Sequence, residues 1–307
     1  MAKILQNITS IKIHKDTITY LNIISDGRLV SCSKDFTIKI LKQNTFELQL
    51  TIKEHKFYVN SITELNDKRL ISCSFDTTMK IIKFVGENSY KIEQTLIGHL
   101  SNVLKVIEIK ENELISISWD QTMKIWKINK KKEFLCFKTL KIQNTISYCN
   151  IIKLNNKQFC TSVCDENCLK FWNSENYSNI NIIYNIEITW NLNSMCLLND
   201  DLLCIGGINS NGFYLIQVST QTIIKKMVGP KNIISLFKCE INTILCVVED
   251  EFKNNNIFKF RFKNGNFEKI FEKEKTHDKI VYSCIEFKNG IIVSGAEDNL
   301  IKLWTQI

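Results

Sequence analysis

The sequence is poor in several features that would otherwise suggest particular classes of protein. Its 307 residues include one proline, Pro230, and no glycine- or serine-rich segment, so nothing marks a linker between domains. No stretch approaches the roughly 20 apolar residues that span a bilayer, and the opening MAKILQNITS lacks the apolar core of a signal peptide. The composition predicts one soluble domain over residues 1–307, located in the cytoplasm or nucleus and without a membrane segment.

Arginine is also scarce. Only Arg28, Arg69 and Arg261 occur, so the net charge of +8 comes almost entirely from lysine. Bidentate recognition of phosphate and guanine favours arginine, and no lysine run is longer than residues 130–132. Nucleic acid is therefore not expected as a direct ligand. An RNA- or ribonucleoprotein-associated subunit that uses a lysine-rich surface stays open as an alternative.

The 12 cysteines do not form a metal-binding pattern. No CxxC pair occurs, and the spacing of Cys160, Cys164 and Cys168 falls across a predicted strand, turn and strand, where helical ligand geometry does not apply. Most other cysteines lie in apolar, strand-like stretches, as small hydrophobic residues do. We expect free thiols, a reducing compartment, and no metal or cofactor.

Internal repetition is the dominant positive feature. The segment LISISWDQTMKIW at 114–126 reads as an apolar strand, an Asp-containing turn and an alternating strand. Similar segments are LVSCSKDFTIKIL at 29–41, LISCSFDTTMKII at 70–82 and IVSGAEDNLIKLW at 292–304. A unit too small to bury its own apolar face must stack on copies of itself, so the segments predict an array of repeats.

The spacing within each unit is constant. All four histidines precede an Asp by 21 positions, and a Ser precedes that Asp by four; the sets are His14, Ser31 and Asp35; His55, Ser72 and Asp76; His99, Ser116 and Asp120; and His277, Ser294 and Asp298. Weaker units are centred on Asp165, Asn209 and Asp250, so the markers recur every 41 to 48 residues. Seven units of this length match propeller blades of four strands, at roughly 40–45 residues each.

These residues resemble the WD-repeat (WD40) β-propeller family over essentially the whole chain. The resemblance implies an all-β fold, a seven-bladed β-propeller of four-stranded antiparallel blades. In that family His, Ser or Thr, Asp and Trp form a hydrogen-bonded tetrad in each blade. Beyond the four sets above, the tetrad residues implied here are Trp126, Thr161, Asp165, Trp172 and Trp304. Leu41 and Ile82 replace Trp in blades one and two, and Ile188 and Gly229 replace His in blades five and six.

The repeated His, Ser and Asp resemble a catalytic triad in residue type. A triad is recognised by one particular geometry, whereas this set occurs four times at identical spacing. A buried carboxylate must be hydrogen-bonded, and an imidazole held between Asp and Ser meets that need. We therefore expect a structural brace, no catalytic residue and no enzyme activity.

The last unit is one strand short, because the chain stops three residues after Trp304. Residues 3–13 have strand composition, and Ser10 and Ile11 precede His14 much as Thr51 and Ile52 precede His55. The N-terminal strand is therefore expected to complete blade seven and close the ring, which removes the exposed sheet edges of an open array.

Candidate binding residues follow from the family resemblance, which places the residue before each tetrad Asp, and those just after each His, around the top of the channel. The implied set is Lys34, Lys56, Tyr58, Phe75, Asn102, Trp119, Glu249 and Glu297. Turn positions prefer small polar residues, so Phe75 and Trp119 are the anchor candidates. The alternative is that these rings only cap their own blades.

The sequence thus predicts a non-enzymatic protein–protein interaction scaffold or adaptor. It would bind a peptide or partner domain on the top face of the propeller, as a subunit of a multiprotein complex. The family resemblance also permits a substrate-receptor role in a ubiquitin ligase complex.

Overall fold

Seven four-stranded antiparallel sheets make up the part of the chain that the structure describes. This computed structural model describes residues 5–141, 148–163, 167–184, 186, 195–206, 211–250 and 252–306. Within those ranges, no helix has the length and apolar character needed to cross a membrane.

The strands follow one another in chain order. The first is β1 (Leu5–Ile11). Blade one contains β2 (Ile18–Ile23), β3 (Leu29–Ser33), β4 (Ile38–Leu41) and β5 (Leu48–Ile52). Blade two contains β6 (Val59–Glu64), β7 (Leu70–Ser74), β8 (Met79–Gly86) and β9 (Ser89–Leu96). Blade three contains β10 (Val103–Lys110), β11 (Glu113–Ser118), β12 (Thr122–Ile128) and β13 (Phe134–Lys141).

The remaining blades repeat this order. Blade four contains β14 (Tyr148–Lys153), β15 (Gln158–Val163), β16 (Cys168–Asn173) and β17 (Asn179–Ile183). Blade five contains β18 (Met195–Asn199), β19 (Leu202–Ile205), β20 (Asn211–Gln217) and β21 (Thr222–Lys231). Blade six contains β22 (Ile233–Lys238), β23 (Thr243–Glu249), β24 (Asn255–Lys263) and β25 (Asn266–Lys273). Blade seven contains β26 (Val281–Glu286), β27 (Ile292–Ala296) and β28 (Ile301–Gln306).

The first strand of every blade faces the centre of the ring. β2, β6, β10, β14, β18, β22 and β26 each contact the first strands of both neighbouring blades, and β26 contacts β2, so these strands close a circle around a channel. The fold expected from the sequence, an all-β seven-bladed propeller with four-stranded antiparallel blades, is confirmed.

The N-terminal strand closes the ring. β1 pairs antiparallel with β28, from Leu5 opposite Gln306 to Ile11 opposite Ile301, and becomes the outer strand of blade seven. The expected closure is therefore confirmed, with the strand at Leu5–Ile11 inside the predicted range of 3–13. The two ends of the chain are held in one sheet.

The cores lie between the blades. β3, β7, β11 and β27 are buried at every position, because both faces of a central strand are covered by neighbouring sheets. Seven hydrophobic clusters fill the seven interfaces between adjacent blades. Each blade depends on its neighbours for burial, which explains why the apolar pattern repeats along the chain.

Every outer strand carries a β-bulge at an equivalent place. The third and fourth strands of each blade shift register next to the position where the family has Trp, as at Trp126 and at its counterpart Leu41. The other five blades repeat this shift. A bulge bends and twists a strand, so it makes an exposed edge a poorer template for pairing with another chain.

Candidate functional site: the top face of the propeller

Four blades contain the same buried hydrogen-bonded set. In blade one, His14 Nδ1 donates to Asp35 at 2.9 Å and the Ser31 hydroxyl lies 2.8 Å from His14 Nε2. The corresponding distances are 2.8 and 2.8 Å in blade two, 2.8 and 2.7 Å in blade three, and 2.8 and 2.7 Å in blade seven. The recurring 21-residue spacing therefore brings each His and Asp into direct contact.

The tetrad Asp also fixes the turn that contains it. Asp35 accepts the N–H of Lys15 at 2.9 Å, the N–H of Thr37 at 3.0 Å and the Thr37 hydroxyl at 2.6 Å. Burial by itself raises the pKa of Asp35, but the hydrogen bonds from His14, Thr37 and the Lys15 N–H outweigh burial and hold that pKa well below its usual range. The carboxylate thus joins the turn to the segment that follows His14.

Tryptophan extends the set where it is present. Trp126 Nε1 donates to Ser116 at 2.9 Å, and Trp304 Nε1 donates to Ser294 at 2.8 Å. In blade four Trp172 Nε1 donates to Thr161 at 3.0 Å, whereas Asp165 lies outside the described residues.

The geometry gives these groups a bracing role. The hydroxyls of Ser31, Ser72, Ser116 and Ser294 belong to residues that are 0% exposed, so they are shielded from solvent. Burial lowers the pKa of His14, His99 and His277 despite the neighbouring carboxylates, so these rings are neutral at pH 7. Within the described residues, no group of three or more His, Cys, Asp or Glu side chains is placed to hold a metal ion.

One backbone contact recurs around the top face, the end of the ring that carries the Asp turns. In five blades the N–H of the residue before the marker Asp donates to a carbonyl in the preceding loop: Lys34 to Thr17 (2.9 Å), Phe75 to Tyr58 (2.9 Å), Trp119 to Asn102 (3.0 Å), Glu249 to Asn232 (3.2 Å) and Glu297 to Ile280 (3.0 Å). Blade six keeps this contact without a tetrad His. The predicted contact positions are therefore held at one height around the channel.

Aromatic side chains from blades one to three join into a continuous aromatic band, formed by Phe36, Phe57, Tyr58, Phe75 and Trp119. Phe75 lies 5.1 Å from Trp119 and 5.6 Å from Tyr58, between ring centroids. Phe57 lies 4.4 Å from Tyr58 and stacks on Phe36 at 5.5 Å. These separations are those of favourable aromatic pairs.

The aromatic band remains open to solvent. Phe36 is 38% exposed, Phe57 42% and Trp119 46%, while Phe75 is half-buried against the core between blades three and four. Phe75 packs on the blade core, whereas Trp119 presents its surface to solvent. An exposed aromatic surface that crosses three blades is characteristic of an interaction site.

Lys34 and Tyr282 connect the aromatic band to Glu297 and Glu249, the acidic side chains of the top face. Lys34 Nζ lies 5.8 Å from the centroid of Tyr58 and 5.7 Å from that of Tyr282, a cation–π distance in both cases. The Tyr282 hydroxyl donates to Glu297 at 2.9 Å. Burial, then Glu297 and Glu249, raise the pKa of Tyr282, which places both carboxylates in its surroundings.

Most of the predicted contact residues therefore lie in one arc. It runs from Trp119 through Phe75, Tyr58 and Lys34 to Glu297 and Glu249. Lys56 is exposed beside the aromatic band, and Asn102 is half-buried and contributes its carbonyl. Sequence reasoning missed Phe36, Phe57 and Tyr282, although Phe36 follows the tetrad Asp directly and Phe57 adjoins Lys56.

Comparison with protein families identifies three of the repeats. The family model described as "WD domain, G-beta repeat" matches residues 5–41, 46–83 and 268–305. Each matched segment begins with the outer strand of one blade and continues into three strands of the next. This offset is what allows β1 to complete blade seven.

Comparison with solved structures supports the fold of the whole chain. The crystal structure of the WD40 β-propeller domain of Doa1 superposes with a TM-score of 0.77 at 20% sequence identity, covering 99% of this chain and 97% of that one. At this identity the likeness concerns the fold alone. No curated protein matches the sequence.

Proposed function

Because this chain is a seven-bladed WD-repeat β-propeller, we propose that it is a non-catalytic scaffold that docks a peptide segment of a partner protein on its top face. A rigid ring that carries its variable side chains on loops is suited to recognition. The function rests on those loops and not on the fold, which hosts many roles.

The aromatic band is the observation that supports this proposal most directly. Large, partly exposed rings supply contact area at little cost in side-chain entropy, and binding energy concentrates on such anchors. Trp119 stands at the end of the band and is the most exposed of its rings. We propose Trp119 and Phe75 as the contacts for an apolar side chain of the partner.

The acidic end of the arc indicates which charge the partner carries. Glu249 and Glu297 are half-buried at the top face, and Glu297 is oriented by Tyr282. Such carboxylates attract a lysine or arginine and repel phosphate. The proposed peptide therefore carries a large apolar residue and, some residues away, a basic one. The same carboxylates disfavour RNA at this face.

The protein would act as a subunit of a multiprotein complex in the cytoplasm or nucleus. Within the described residues the cysteines form no disulfide and are mostly buried, and burial raises the pKa of thiols such as Cys160 and Cys284. Unreactive free thiols suit a reducing compartment.

Selection of displayed peptides on the purified protein tests the proposal. Wild-type protein is expected to select peptides with an apolar residue and a basic residue at a fixed separation. The Phe75→Ala/Trp119→Ala double variant should lose at least about 2 kcal/mol of binding free energy. Phe137→Ala is the matched control, since Phe137 is an exposed ring on the outer strand β13.

Two further variants separate the parts of the site. Glu249→Gln/Glu297→Gln should remove the preference for the basic residue and keep the apolar one. Equal binding to wild type and to the aromatic double variant would refute the site. Loss of binding in the Phe137→Ala control would indicate that the ring's side carries the function.

A further inference from the structure

The inner strands of five blades line a cavity of about 320 Å³ in the central channel. Its charged lining consists of Lys105, Lys153 and Lys238, and Tyr20 is a further polar group there. No carboxylate lies among the described residues that line it. The cavity is therefore cationic, and it is separate from the aromatic band.

Lys105 lacks the partner that a cation facing the interior normally has. Its Nζ donates to Asn150 Oδ1 at 2.7 Å, but it forms no ion pair within the described part of the chain. Lys259 shows the usual arrangement, since its Nζ lies 2.5 Å from Glu286 with both side chains nearly buried. Burial lowers the pKa of Lys105 to about 8, so the ammonium is still mostly charged at pH 7.

Asn150 is a buried amide that positions the Lys105 ammonium. It is 1% exposed, and its Oδ1 accepts both Lys105 and the N–H of Ile151 at 2.8 Å. Those two contacts fix which end of the amide is oxygen, and Nδ2 has no hydrogen-bond partner among the residues that the structure describes.

Tyr20 is at the corresponding position of blade one. Tyr20, Lys105 and Asn150 each follow a register shift near the start of an inner strand. At the same level blades two, six and seven have the short side chains of Ser61, Ser235 and Ser283, of which Ser61 and Ser283 are engaged with Leu104 and Leu21 respectively. Burial raises the pKa of Tyr20 to about 12, so its hydroxyl carries a proton at pH 7 and can donate it to an acceptor.

We propose that the central cavity binds a small, multiply charged phosphate anion, with Lys105, whose ammonium Asn150 positions, as its main contact and Tyr20 as a further donor. Hydrogen bonds between an ammonium and phosphate oxygens are charge-assisted and strong. Lys153 and Lys238 add to the positive field, which a narrow channel with apolar walls focuses. The volume lies at the small end of ligand cavities, which favours a small anion.

Calorimetric titration with inorganic pyrophosphate tests this site. Wild-type protein should bind one equivalent, and Lys105→Met should weaken binding by at least about tenfold, because a charge-assisted contact is lost. Lys153→Met and Lys238→Met should each weaken it by a few-fold. Lys130→Met is the matched control, since Lys130 is exposed on the turn between β12 and β13, and its affinity should equal that of wild type.

Three outcomes would refute the proposed anion site. They are no saturable binding at millimolar pyrophosphate, equal affinity in wild type and Lys105→Met, and equal weakening by Lys130→Met. If Lys105→Met does not fold, Lys105→Gln and the two outer lysine variants give the same comparison. The Phe75→Ala/Trp119→Ala variant should bind pyrophosphate normally, so this test is independent of the top-face proposal.

Discussion

Blades three and six differ in how they pack against the preceding blade: blade three uses hydrogen-bonded polar side chains, and blade six uses aromatic rings. In blade three a polar set closes the interface to blade two, with Asp120, His99, Ser116 and Trp126 joined by hydrogen bonds. At the equivalent positions blade six has Gly229, Cys246 and Phe260. There Phe213, Phe260 and Phe267 pack ring against ring at 4.8 to 6.0 Å.

Gly229 shows why the two solutions exclude one another. A Cβ atom at this position would lie 2.9 Å from the Phe213 ring, so the aromatic core occupies space that a side chain would need. Asp250 is retained, but it accepts from Phe252 and Asn254 inside its own turn. In blade three the Asp carboxylate joins its own turn to the segment after His99, whereas the hydrogen bonds described for Asp250 in blade six all come from residues 252–256. A propeller interface can therefore be stabilised by a satisfied polar network or by aromatic packing.

The largest expected effect comes from removing the carboxylate of the polar brace. Asp120→Ala would leave His99, the Leu100 N–H and Thr122 without their acceptor, which should cost about 3–5 kcal/mol of unfolding free energy. Asp250→Ala is the matched change in blade six and should leave the denaturation midpoint nearly unchanged. Urea denaturation of both variants measures the difference, and similar losses would contradict the distinction between the blades.

A methyl group at Gly229 tests the aromatic interface. Gly229→Ala should destabilise the protein by about 1–3 kcal/mol, because a well-packed core tolerates added volume poorly. Combining it with Phe213→Leu should recover part of that loss, since the smaller side chain leaves room for the Cβ. Additive effects in this double-mutant cycle would show that the ring does not exclude a side chain.

Acid should affect the braced blades first. The folded-state pKa of His14, His99 and His277 is below the ordinary value of 6.5, so the unfolded chain binds more protons below about pH 6.5. Stability is fully present above that pH and falls below it, by up to about 1.4 kcal/mol per pH unit for each such His. The lowered pKa of Asp35, Asp76 and Asp120 adds stability that is lost only below about pH 3.8.

Hydrogen exchange resolves this prediction by region. Between pH 7 and pH 5, after correction for intrinsic exchange rates, protection in β3, β11 and β27 should decrease more than in β19 and β23. A uniform decrease around the ring would mean that the braces do not determine local acid sensitivity.

The smallest expected effect concerns equivalent turns among the braced blades. Phe36 and Asn299 both follow the tetrad Asp in left-handed backbone, with φ of 70° and 65°. Asn adopts this conformation at little cost, whereas Phe adopts it with backbone strain. In Phe36→Asn the relief of strain should offset the lost stacking on Phe57, so stability should change by less than about 0.5 kcal/mol. Peptide binding on the aromatic band should nevertheless weaken.

Gln121→Asn is the control for that comparison, because Gln121 has φ of 64° and no ring to lose. It should gain up to about 1 kcal/mol with unchanged peptide binding. A Phe36→Asn variant that gains as much as Gln121→Asn would show that the stacking on Phe57 contributes nothing to the fold.

The repeat itself was predictable from the sequence, for a local reason. A constant 21-residue spacing of His and Asp, with apolar runs between them, is set by the length of strands and turns within one unit. The number of units, the strand order and the closing role of β1 follow, because each unit must bury its apolar faces against a neighbour. The repeat also indicated most of the arc on the top face, since equivalent positions in a ring share one height.

Only the tertiary structure decided which side chains meet across blades. Lys34 lies between Tyr58 and Tyr282 because ring closure makes blade seven a neighbour of blade one, a contact that no sequence spacing marks. Phe36 reaches Phe57, and Lys105 reaches Asn150, through the rotation between adjacent blades and the choice of rotamer. Blades five and six were the least regular in sequence because aromatic packing replaced the polar residues that define the repeat, and packing of this kind has no fixed spacing along the chain.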